Sequence, residues 1–89
     1  MKKIIDVRVQ PNFSLHLRFN DHTEGVFDLN PLIARDTVLT APLRDPACFG
    51  RVYLELGALA WPNGLELSPA SAHAELAEAG RLTRHQEAA

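Results

Sequence analysis

Phe13, Leu15, Leu17 and Phe19 alternate with Ser14, His16 and Arg18, a period of two that puts every apolar side chain on one face of an extended strand. Upstream, Ile5, Val7 and Val9 alternate with Asp6 and Arg8 in a β-rich run from Ile4 to Val9, which predicts a half-buried strand with those three apolar residues turned to the core. Pro11-Asn12 separates the two strands. Asn20-Asp21-His22 supplies turn residues after the second, and Thr23 to Leu29 carries Val26, Phe27 and Leu29 into a third. Its register depends on the turn. A two-residue turn at Asp21-His22 sets Glu24 and Val26 inward, whereas a three-residue loop sets Gly25, Phe27 and Leu29 inward. The greater apolar load favours the second register, or else a bulge at Gly25 that lets both sets point inward in turn. Either way the three strands form an antiparallel meander.

Further along, Asn30-Pro31, Asp45-Pro46 and Ser68-Pro69 each place a capping side chain before a proline, whose missing N–H is no loss at the first helical position. Asn30, Asp45 and Ser68 are therefore the expected helix caps. They open a single turn at Leu32-Ile33-Ala34, another at Ala47-Cys48-Phe49 that Gly50 ends, and a longer helix from Pro69 to Ala79 with Gly80 just beyond it. Residues 36–45 read as loop. Arg51 to Leu56 alternates, with Val52 and Leu54 on one face, and Gly57 allows a reversal into Ala58 to Trp61. Leu59 and Trp61 share a face, Pro62 ends the run, Asn63-Gly64 reverses the chain, and Leu65 and Leu67 return as a short strand. Trp61 is the expected anchor of the core, with Phe27 and Phe49 in the same interior. The sum is an α+β fold built on one antiparallel sheet: a three-stranded N-terminal meander plus a C-terminal strand pair, with short helical turns and one C-terminal helix. One domain is expected over residues 1–80, and a flexible tail over 81–89.

Composition narrows the class. A chain of 89 residues supports one core, and 46% hydrophobic with 22% charged residues excludes a disordered polymer. The single cysteine, Cys48, cannot form an internal disulfide, and no apolar N-terminal run suggests a signal peptide or membrane span, so a cytoplasmic protein is expected. A net charge of −2 gives no electrostatic footprint for gripping nucleic acid directly.

No catalytic constellation emerges. His16, His22, His73 and His85 lack ligand spacing, so neither metal nor cofactor is expected. Cys48 reads as a small buried thiol, the glycines form no phosphate-binding loop, and Glu75 and Glu78 read as solvated helix charges. Asp28, Asp36 and Asp45 lie in or near loops on one side of the meander and could serve a small hydrolase, although Asp28 can end a strand and Asp45 is already a cap. Arg8, His16 and Arg18 project from the face opposite Val7, Leu15 and Leu17, a basic patch suited to an acidic partner or RNA unless Asp6 simply neutralises it.

Three blocks, Phe27-Asp28-Leu29-Asn30-Pro31-Leu32, Pro42-Leu43-Arg44-Asp45-Pro46-Ala47-Cys48-Phe49 and Trp61-Pro62-Asn63-Gly64-Leu65-Glu66-Leu67-Ser68-Pro69, resemble in order and spacing the bacterial family called domain of unknown function 2442. The chain departs from that family's usual Asp-Gly or Asn-Gly turn at Asp21-His22. The resemblance runs from about Ile5 to about Leu76 and implies an α+β fold with no established activity. It also implies a partner encoded by a neighbouring gene, as in a toxin–antitoxin pair. The expected function is a non-enzymatic protein-interaction module, possessing uncovered sheet edges that would also allow a homodimer. The alternatives are a nucleic-acid accessory module on the basic face and a hydrolase on the three aspartates.

Overall fold

In the computed structural model, which describes residues 1–84, the alternating runs form β1 (Ile4–Gln10), β2 (Ser14–Phe19) and β3 (Thr23–Asp28) as an antiparallel meander. Leu15, Leu17 and Phe19 are buried on one face. Leu15 stands opposite Phe27 and Leu17 opposite Gly25, which is the register with Gly25 and Phe27 inward. The turn explains it: His22 takes φ 66° and its N–H donates to the Phe19 carbonyl at 3.2 Å, the left-handed closing residue of a three-residue hairpin.

β1 departs from simple alternation. Ile4 faces Phe19 while Asp6 faces Arg18, so one extra residue enters β1 between them. The expected inward set of Ile5, Val7 and Val9 is corrected accordingly: Ile4 is buried, whereas Ile5 is 56% exposed and Val9, towards the far end of this edge strand, is 49% exposed. Val7 alone of the three packs against the core.

The second half of the chain builds its own sheet. β4 (Tyr53–Glu55), β5 (Ala58–Ala60) and β6 (Glu66–Leu67) pair in that order, so the single expected sheet is in fact two. The link between them is the Leu56-Gly57 turn, whose Gly57 carbonyl accepts from the Ile4 N–H at 2.9 Å. β4 lies beside β1, but this hydrogen bond falls on the turn and not between paired strand residues, so the two ladders stay separate. The Trp61 hairpin closes as its sequence requires: the Trp61 N–H donates to the Leu65 carbonyl at 2.9 Å, the Gly64 N–H returns to the Trp61 carbonyl at 3.0 Å, and Gly64 has φ 96°. Trp61 is 1% exposed and its indole Nε1 donates to the Phe49 carbonyl at 3.0 Å. Pro62 and Asn63 sit at the exposed tip, where Asn63 Nδ2 donates to the Leu39 carbonyl at 2.9 Å and ties the preceding loop down.

Three helices follow the proline signals: α1 (Asn30–Ile33), α2 (Pro46–Phe49) and α3 (Pro69–Glu78). Asp45 Oδ1 accepts from the Ala47 N–H at 3.0 Å and Ser68 Oγ from the Ser71 N–H at 3.3 Å, both as caps. Asn30 is not a cap. The chain bends one residue earlier, at Leu29 (φ −95°, ψ 0°), and Asp28 Oδ1 accepts from the Asn30 N–H at 2.9 Å. The expected loop over 36–45 contains a 3₁₀ turn at Ala41–Arg44, which buries Leu43. After α3 the Arg81 N–H donates to the Leu76 carbonyl at 2.9 Å and the Gly80 N–H to that of Ala77 at 3.1 Å, with Gly80 at φ 69°. Within the expected tail, β7 (Thr83–Arg84) pairs antiparallel with β3. The rest of the expected tail, residues 85–89, lies outside the described residues.

Candidate partner-binding groove

The meander does bring Arg8, His16 and Arg18 onto one face, since Arg8 stands opposite His16 and Asp6 opposite Arg18. It brings two carboxylates with them. Asp6 Oδ2 lies 3.3 Å from Arg8 Nε, while Glu24 stands opposite Arg18, its carboxylate 3.9 Å from Arg18 Nε and 3.8 Å from His16 Nε2. Arg18 Nε is buried without a hydrogen bond. Two guanidiniums against two carboxylates leave this face balanced, not basic.

The three loop aspartates have separate local partners. Asp28 accepts from Asn30, Asp45 caps α2, and Asp36 pairs with Arg44 at 3.2 Å on the surface. Cys48 is half-buried in α2, against the core. Among the described residues no three His, Cys, Asp or Glu side chains gather as a metal-ligand set, and no helix is long and apolar enough to cross a membrane. His73 belongs to a structural cluster: Asp21 Oδ2 accepts from its Nε2 at 2.9 Å and from Lys2 Nζ at 2.7 Å, while Asp21 Oδ1 accepts from the backbone N–H and hydroxyl of Thr23. Burial alone would raise the Asp21 carboxyl's pKa, but the Lys2 and Thr23 hydrogen bonds and the Lys2 charge outweigh it and hold the group well below the usual carboxylate range.

A groove that the sequence did not reveal runs between the β3–α1 corner and α3. Asp28 accepts from both the Asn30 N–H and its Nδ2, at 2.9 and 2.8 Å, turning the chain sharply so that Pro31, Leu32 and Arg35 form one wall. The other wall is β6 and the start of α3, presenting Glu66, Leu67, Ser71, Ala72 and Glu75. Phe27 lies between them. It was expected in the core; it is half-buried, packing on the core while it lines the groove. The main cleft measures about 250 Å³. A more open depression of about 200 Å³ adjoins it, sharing Phe27, Asp28, Pro31 and Glu75 and reaching Ala79 and Arg81. Among the described residues the side chains of Arg35, Glu66, Glu75 and Arg81 form no ion pair or side-chain hydrogen bond, and all four are exposed. No single stretch of sequence could announce this site, because its walls come from residues 26–35, 66–75 and 76–81 and each wall separately reads as an ordinary corner or helix face.

No curated protein and no solved structure is similar enough to match this chain. The family model described as "Protein of unknown function (DUF2442)" matches residues 4–71, which takes in all three sequence blocks and most of the groove's lining, and the chain belongs to that family.

Proposed function

We propose that the domain is a non-enzymatic protein-interaction module that holds a short segment of a partner in the groove between β3, α1 and α3. The observation that carries this reading is the size and division of the groove. Ligand pockets for whole small molecules run to roughly 300–1,000 Å³. Two adjoining depressions of about 250 and 200 Å³ suit consecutive anchoring side chains of a peptide better than one metabolite. An apolar floor with a charged rim is also how protein interfaces are built. The face of Arg8, His16 and Arg18 is the weaker candidate, since its balanced charge offers neither phosphates nor an acidic partner a surplus of positive potential. The family resemblance supplies the specific form: a cytoplasmic partner encoded alongside, as for the neutralising member of a toxin–antitoxin pair.

Co-expression of the whole chain with each product of the flanking genes tests the reading. A neighbour should co-purify, and Ser71→Trp, at an exposed position on the groove wall, should abolish the complex while Arg8→Glu, exposed on the other face, leaves it intact. No co-purifying neighbour, or a complex indifferent to Ser71→Trp, would overturn it.

A further inference from the structure

We infer that the groove recognises a single lysine or arginine side chain flanked by an apolar residue. This rests on the proposed interaction reading and names the chemistry of the partner. The charges around the groove are not spread evenly. Asp28 and Glu75 line both depressions and so mark the junction between them, and Glu66 adds a third carboxylate to the larger one. Arg35 lines only the larger depression and Arg81 only the smaller. The groove is thus acidic at its junction and carries one guanidinium in each depression away from it.

That arrangement fits a particular occupant. Any chain lying along both depressions passes Asp28 and Glu75. An anionic side chain would meet like charge at that point, and a purely apolar one would cover the carboxylates without compensating them. A lysine or arginine can lay its aliphatic stem along Pro31 and Leu32 while its charged head stays between the carboxylates and solvent. The neighbouring depression then takes the apolar flank. Arg35 and Arg81 oppose a run of basic residues, so the groove favours one cation at its junction over a polybasic tract. Because the rim charges are exposed, the charge contribution should weaken as salt rises.

The probe is a displayed library of random seven-residue peptides selected on the whole chain, with binding of selected peptides followed by fluorescence anisotropy. Wild-type protein should enrich sequences with one Lys or Arg beside an apolar residue. Replacing that cation by Glu should cost roughly five- to tenfold in affinity. Glu75→Lys, at an exposed helix position, should cause a similar loss and should regain binding to the Glu-substituted peptide, with Arg8→Glu as the unaffected control. Peptides enriched without a basic residue, yet lost on Ser71→Trp, would overturn this inference and leave the groove reading standing. Absence of any enrichment sensitive to Ser71→Trp would overturn both.

Discussion

Leu56 is the residue that fits its place least. It has φ 51° and is followed by Gly57 at φ 85°, so the β4–β5 turn has both central residues left-handed, the form that suits Asn-Gly. A leucine in that region is disfavoured by about 1–2 kcal/mol, and at 89% exposure it has little packing to lose. Leu56→Asn should therefore raise stability by about 1 kcal/mol, seen as a higher urea midpoint with an unchanged slope. A lower midpoint would mean that the leucine makes a contact the fold needs. Gly57 itself is fixed by its neighbour, because a Cβ there would stand 2.8 Å from the Lys3 Cβ. Gly25 is a similar case in the middle of β3, where a Cβ would stand 2.8 Å from the Arg81 carbonyl oxygen. A glycine interrupting an alternating strand was legible as a special position, but its cause was not: the chain beyond α3 returns across it, and only the tertiary path shows that.

At the scale of elements, legibility followed the strength of local chemistry. The period of two in β2 and the Trp61 hairpin needed nothing from the rest of the molecule. The three proline-marked helix starts looked equivalent, yet they differ. Asp45 and Ser68 have extended backbones and accept from the helix, while Asn30 is already inside α1 because Asp28 has begun the turn. Asp45→Ala and Ser68→Ala should each cost about 0.5–2 kcal/mol in chemical denaturation, and Asp28→Ala should fall in the same range. A cost for Asp28→Ala no larger than that of a neutral surface change would show that the Asn30 contacts do not hold α1. The bulge in β1 was hidden because Ile4 and Ile5 are both β-branched and apolar, so their sequence does not say which faces inward. Opposite Phe19 the core takes Ile4, and the extra residue restores Asp6 and Arg8 to the outer face.

For the whole molecule, what escaped the sequence was how its pieces meet: two sheets joined through a turn, and a groove assembled from three segments. A similar long-range junction is Asp21, which gathers Lys2 from the N-terminus, Thr23 from β3 and His73 from α3, with the His73 ring edge-on to Phe19 at 4.9 Å between centroids. Its carboxyl is held well below the pKa of about 3.9 that an unfolded aspartate has. A depressed folded-state pKa means that the unfolded chain takes up a proton first as pH falls. The stability contributed by the ionised group is therefore present in full above about pH 4 and drains away below it as pH drops towards the folded value. Asp21→Asn keeps the shape and removes the charge. The stability gap between wild type and this variant, measured by urea titration, should narrow steadily as pH falls from about 4 towards 2. A gap that stays constant across that range would mean that hydrogen-bond geometry alone, and not the ionised carboxylate's attraction for Lys2, joins the N-terminus to the β2–β3 turn.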